Sequence, residues 1–501
     1  PVTRFRDARN AQRWQDVEAV GGAIRLYQVD NNGRVPTGVD ENWQMLGTDT
    51  TGCDISCGAG QISGSYNYSS QANFDAGSYV NTQWDSENDW VELVSGSSGS
   101  YTSAVINANV SSTWSTLSWT PSRPTYKALP NNRASESGYS TGNANMSNNV
   151  LLYHLDESSG SIADSSGQGN SGVSYGVTGT SGRIGGALNF DGSNDYVDAG
   201  NDSSLNMGED DFTIEFWATN LNQHYDARGL LTKADGSYWL GPGYRFTTIS
   251  NPDNVFFVIA DGSGNQTYLS TGVGMSYGWT HFVGLRTGNF IEVYINGNFV
   301  GRRDSSAIGN IDASGNLFIG KGSNGSYYGK IDEVAIFKRA LSPTEILDHY
   351  KRGALRLSFQ VRSCGDISCS GESFIGPDGT GATYYNELIN STTGLPNLTL
   401  TNLVDNQYFQ YQVLFAADNT SFSSELSGVT IETTEVGSGG VILQSACLDI
   451  STELASKLPA VPVDPTNGSL EKTYYALQRD DNNQINVRAC SAEGEVIKIS
   501  R

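Results

Sequence analysis

Basic residues are scarce in this chain: 30 Lys plus Arg stand against 53 Asp plus Glu, a formal net charge of −23 over 501 residues. That balance excludes nucleic acid and anionic lipid as the main partner, because both demand a dense basic surface. No apolar run reaches the length of a spanning helix, so nothing in the sequence itself crosses a membrane. The six Cys are too few to scaffold so long a chain, and no Cys-x-x-Cys pair of zinc type occurs among them. Histidine and methionine number only four each. What abounds is Gly, at 58, with 25 Tyr and many Ser, Asn and Thr, the composition of turn-dense β structure outside the cell. At about 100 to 200 residues per domain the length implies two to four domains.

Cys364 and Cys369 are separated by four residues in Ser363-Cys-Gly-Asp-Ile-Ser-Cys369, a gap that a hairpin loop closes. A local disulfide there predicts an oxidising compartment. Residues 3–29 form the only long helical segment: Pro is absent and Val17, Val20, Ile24 and Tyr27 recur on one face. Its first half carries Arg4, Arg6, Arg9 and Arg13 with Phe5 and Trp14 interleaved, a basic run whose plain reading is a solvated helix end. Asn31-Asn-Gly33 supplies the stop, with Pro36 close behind. At the other terminus, a short helix over Leu448–Leu458 precedes a turn-rich loop and three strands at 472–478, 484–490 and 495–500. That small meander needs one amphipathic helix as cover, and the only long one lies at the opposite end of the chain.

Residues 1–60 and 438–501 are therefore read as one α+β domain split by an insertion. The stretch Tyr27-Gln-Val-Asp-Asn-Asn-Gly33-Arg-Val-Pro36, with Leu458-Pro-Ala-Val-Pro-Val-Asp-Pro465 and the closing Glu493-Gly-Glu-Val-Ile-Lys-Ile499, resembles a bacterial type IV pilin or pseudopilin. Such proteins carry a further apolar helix of about 20 residues upstream, which anchors the subunit and then packs in the filament. It is missing here, and because the chain begins at Pro1 rather than Met we expect a piece to have been processed or cut away. The resemblance implies a cell-surface filament of copies of this chain, membrane contact only through that upstream helix, and filament contacts at Phe5, Arg6, Arg9 and Trp14. Cys53, Cys57, Cys447 and Cys490 all fall in this outer domain and are expected to pair among themselves, with the pairing open.

The middle of the chain reads with period two. Asn296-Gly297, between alternating Ile291, Val293, Ile295 and Phe299, predicts a type I′ hairpin. Ser342-Pro-Thr-Glu345 predicts a capped helix start. The ordered motifs Leu152 to Asp156, Asp164 to Gly167, Ala187 to Gly192, Asp195 to Val197, Phe212 to Trp217, Val293 to Gly297 and Gly329 to Phe337 resemble a laminin-G-like, concanavalin-type jelly roll over 141–352. Residues 61–140 and 353–437 are also strand-rich. Neither side alone has enough strands, so together they predict a β-sandwich that the jelly roll interrupts. The fold expected is mainly β, a nest of three.

The resemblance to the jelly roll implies a carbohydrate- or protein-binding module. Trp217, Tyr327 and Tyr328 are the aromatics proposed for a ligand face, the last two in the loop Gly325-Ser-Tyr-Tyr-Gly329, though packing in a core explains such residues equally well. Similar jelly rolls often bind one structural calcium, so calcium is the cofactor carried, with Asp156, Asp164 and Asp332 as candidate ligands; turn capping is the alternative. Glu209, Asp211 and Glu215 share a strand face, but their spacing departs from that of glucanases. The four His sit beside apolar strands with no Ser elbow nearby, so no catalytic residue is assigned. The favoured reading is a non-enzymatic filament subunit whose outward β domains bind glycan or protein. The alternative is a secreted or surface-anchored lectin-like adhesin that does not polymerise, followed by a glycan-cleaving enzyme.

Overall fold

A computed structural model describes residues 2–500 except 40–43, 49, 51–54, 57–62, 221–227, 236–240, 250, 273–277, 323–324, 391–392, 436–440, 443–446, 466–467, 471–472, 480–483 and 491–496. The N-terminal helix runs Val2–Asp30. Val17, Val20, Ala23 and Ile24 recur every three or four residues and bury one stripe against Tyr475, Leu477, Ile485 and Val487. The helix stops where Asn32 and Gly33 turn left-handed, at φ 55° and 81°, and the Gly33 N–H reaches back to the Gln28 carbonyl at 2.7 Å.

The strands beneath it form one antiparallel sheet in the order Gln44–Met45, Tyr475–Arg479, Ile485–Ala489, Ile497–Ser500. Both chain ends thus contribute to a single core. Two expectations are corrected here. Arg13 is not part of a solvated helix end: it is fully buried, because its guanidinium grips the Asp464 carboxylate at 2.7 and 3.2 Å. The helix expected over Leu448–Leu458 shrinks to Ser451–Leu454.

A ten-stranded sheet follows, in which strands from before and after the middle of the chain interleave. Ile106–Pro121 lies between Asn406–Ala417 and Leu426–Glu435, and Ser63–Tyr68 and Leu355–Cys364 extend the pairing. Its core gathers Trp114, Trp119, Phe359, Tyr411 and Ile431. Cys364 and Cys369 are bonded. Cys447 and Cys490 are also in disulfides, whereas Cys53 and Cys57 lie outside the described residues.

Between these strands sit the two eight-stranded sheets of the jelly roll. Phe190, Phe212, Phe216, Phe246, Phe257 and Phe282 fill the space between the sheets. Gly284 makes room for them, since a Cβ there would meet Phe246 and Phe257 at 2.6 Å. The first strand, Asn149–Tyr153, pairs with the last, Tyr328–Phe337. The hairpin turns at Asn296 and Gly297, with φ 50° and 75°, as a type I′ turn requires. The helix Pro343–Ala354 opens with the full Ser342–Glu345 capping box and lies over the outer face of one sheet.

Candidate ligand-binding site

That overlying helix decides the fate of several candidate residues. Along Phe212–Asn220, Phe212, Ile214 and Phe216 point into the core, so Thr213, Glu215 and Trp217 point outward. The outward row is covered too. Trp217 is 2% exposed, stacked on Tyr350 at 5.6 Å and capped by the Arg183 guanidinium at 4.9 Å. Tyr327 is also 2% exposed, and its hydroxyl donates to the Thr219 carbonyl. Neither ring can offer a face to a sugar, which corrects their assignment as ligand contacts. Of that trio only Tyr328 stays half-buried.

Glu215 is sealed as well. Its Oε1 lies 2.8 Å from His349 Nδ1 and its Oε2 3.6 Å from His281 Nε2. Burial opposes the charge, but the His349 and His281 rings outweigh it and hold the carboxyl down to about 2. Glu209 is exposed, and Asp211 accepts the Gly288 N–H at 2.7 Å. These three do not form an open carboxylate pair.

The calcium candidates separate into individual caps. Asp164 accepts the Leu152, Ser166 and Asn170 amides, at 3.1, 2.9 and 2.9 Å. Asp156 accepts the Gly186 amide at 2.5 Å, and Asp332 accepts those of Arg183 and Ile184 at 2.6 and 3.0 Å. Burial, reinforced by Glu333 and Asp156, pushes the Asp332 carboxyl well above the usual carboxylate range, which favours its neutral form. Among the described residues no group of three or more His, Cys, Asp or Glu is placed to hold a metal ion. The three aspartates do not fit a calcium ion as one ligand set.

The filament candidates divide. The side chains of Phe5 and Arg6 lie outside the described residues. Arg9 is half-buried, and Trp14 is 38% exposed, outside the apolar stripe that the helix packs inward.

A cleft that the sequence did not announce lies where the jelly roll meets the segments flanking it. It has a volume of about 400 Å³ and is built from three separate stretches: Lys127–Glu136, the residues Glu387, Leu388, Asn390 and Thr393, and His154 with Asp156 just after the first jelly-roll strand. Its floor is a buried ionic network. Arg352 donates to both Glu136 oxygens at 2.6 and 3.0 Å, and to the carbonyls of Lys127 and Ala128. Lys127 donates to the Tyr139 hydroxyl at 2.8 Å and sits 3.6 Å from Glu136 and 3.9 Å from Glu387. Burial raises the Glu387 carboxyl despite these neighbours, and burial lowers the Lys127 amine.

The wall is held as tightly. His154 is clamped through Nδ1 by Glu333 at 2.8 Å and through Nε2 by Asn131 at 2.7 Å. Leu155, Glu333, Asn132 and Arg133, at or beside this wall, all adopt left-handed φ of 49° to 60°. For a buried leucine that conformation is strained, and such strain persists only where its surroundings impose it. Three segments distant in sequence had to meet before this cleft existed, so no single motif could reveal it.

The sequence model of Laminin_G_3, described as the Concanavalin A-like lectin/glucanases superfamily, matches residues 191–347. No curated protein matches the chain. Among solved structures, the botulinum neurotoxin serotype D binding domain aligns at 15% identity and TM-score 0.34, over 41% of this chain and 50% of that one. Here the chain spans about half the length of its match. Domain 4 of AbnA, an extracellular arabinanase of the GH43 family from Geobacillus stearothermophilus solved with arabinotriose, aligns at 17% identity and TM-score 0.34, over 40% and 98%. The binding domain of Paraclostridial Mosquitocidal Protein 1 gives 15% and 0.36, over 68% and 86%.

Proposed function

We propose that this protein is an extracellular, non-catalytic adhesin whose jelly roll binds glycan or protein ligands in the manner of a lectin. The family description joins binding proteins to glucanases, and one observation favours binding: Glu215, the carboxylate best placed along its strand for hydrolysis, is sealed under His349 and the helix Pro343–Ala354. The acidic balance keeps the exposed modules soluble and repels nonspecific contact with anionic surfaces. The test is a glycan array probed with the whole chain, run beside a turnover assay on the same glycans. Binding without product is expected, and release of reducing ends that disappears in Glu215→Gln would overturn the reading.

A second reading, the filament subunit, is supported by the N-terminal helix. That helix buries one stripe on the four-stranded sheet yet leaves Trp14, Leu26 and Val29 exposed, apolar side chains that neighbouring copies would cover. Together with the pilin resemblance of both termini, this favours polymerisation beside adhesion, the helix serving the filament and the β modules facing outward. Electron microscopy of cells producing the full-length gene product tests it. Filaments that vanish on Trp14→Glu are expected, and a protein that remains monomeric at the cell surface would sink it.

A further inference from the structure

We propose that the ligand site is the cleft at the jelly-roll seam, and that its occupant is a neutral hexose unit of a glycan, bound through its hydroxyls. This rests on the lectin-like reading above and names the site and the ligand class for it. The aromatic positions do not serve, since Trp217 and Tyr327 are sealed. The cleft has the volume of a small-ligand site and lies at a junction between modules, where such sites concentrate.

Its chemistry selects the class. Glu136, Glu387 and Asp156 line it, against Lys127 and His154. Both cations are already committed: Lys127 to Tyr139 and the Gly394 carbonyl, His154 to Glu333 and Asn131. Glu136 is engaged at both oxygens by Arg352 and Glu387 accepts from Thr125 and Tyr139, so exposed Asp156 is the lining carboxylate that meets a ligand, and an anionic sugar would face its charge without a cation left to receive it. A ligand that donates hydrogen bonds fits better, and sugar hydroxyls donate to carboxylates in charge-assisted bonds. One rim is apolar. Leu388, 39% exposed, reaches the jelly roll at Gly185, where a Cβ would meet Asp156 Oδ1 at 2.6 Å and Leu388 Cδ1 at 3.3 Å. Gly185, at φ 71°, thus lets a carboxylate and an aliphatic side chain converge on one edge. An acceptor beside an apolar surface suits a pyranose, whose hydroxyls ring a face of C–H groups. The buried ion network and the strained wall hold these groups in place before ligand arrives.

The experiment uses the whole chain, methyl hexosides of glucose, galactose and mannose as probes, and imidazole NMR, in which the four histidines give few signals. At least one hexoside is expected to shift the His154 resonance while leaving those of the buried His281 and His349 in place. Leu388→Arg, an exposed position at the rim, should abolish that shift, and Asp156→Asn, which keeps an acceptor for the Gly186 amide, should weaken binding about tenfold. Tyr328→Ala should change neither. Glycan binding that survives Leu388→Arg but fails in Tyr328→Ala would overturn the seam site and leave the lectin reading standing. Binding restricted to sialylated or uronic glycans would overturn the hexose assignment. Absence of binding to any hexoside and to a full glycan array would overturn both.

Discussion

Arg13 and Asp464, 451 positions apart in sequence, form a bidentate ion pair in which neither side chain touches solvent. Asn10 takes a further guanidinium bond at 2.7 Å, and next to it the Tyr475 hydroxyl donates to Asp16 at 2.7 Å. The opening helix and the closing strands are therefore fixed by polar geometry as well as by the apolar stripe. A buried charge that loses its partner is costly, so Asp464→Ala is expected to destabilise this part of the molecule by about 3 to 5 kcal/mol. Differential scanning calorimetry should show one transition moving down while that of the jelly roll stays in place. A single, uniformly shifted transition would argue that the parts unfold together.

Glu215→Gln should cost about 3 kcal/mol, because it removes the charge that His349 and His281 surround. The carboxyl is held down to about 2 from an ordinary 4.5. Its contribution is therefore complete above about pH 4.5 and lost as the pH falls toward 2. Denaturant titrations of wild type and variant should converge at the acid end of that window.

Gly353→Ala tests the seal over Trp217. A Cβ at that position would lie 2.7 Å from Trp217 Cζ2 and 3.3 Å from Arg183 Cγ. The stack cannot move without breaking its contact with Tyr350, so a loss of about 1 to 3 kcal/mol is expected. Tryptophan fluorescence during unfolding would report it.

His154 gives the cleft a pH signature. Burial opposes its charge, but Glu333 outweighs burial and raises its pKa above the ordinary 6.5. The pair then contributes stability in full below about pH 6.5 and loses it as the pH rises through the raised value. The destabilisation caused by His154→Gln should accordingly be larger at about pH 5.5 than at about pH 9. Equal losses at both would mean that packing alone holds the ring.

Features written in adjacent residues are legible in the sequence alone. The Asn296-Gly297 turn, the Ser342–Glu345 cap, the Cys364–Cys369 bond and the helix stop at Gly33 each depend on a few neighbours and form as their residues require. Arg13 departs from its expected place because its partner comes from the far terminus, and a basic run has the pattern of a solvated one unless a distant carboxylate meets it. The misplaced aromatics have another cause. Alternation marks one side of Phe212–Asn220 as outward, but outward means exposed only where nothing covers the sheet, and the helix Pro343–Ala354 covers it. The seam cleft leaves no local signature for the same reason as Arg13, since three distant stretches share its walls.

The first and last jelly-roll strands lie side by side, and the chain before the first and after the last leads into a sheet whose own strands come from either flank. Two polypeptide crossings therefore tether the jelly roll to that sheet. A protease that severs either one leaves the jelly roll attached by the other, whereas a module carried on a single stalk would be shed by one cut.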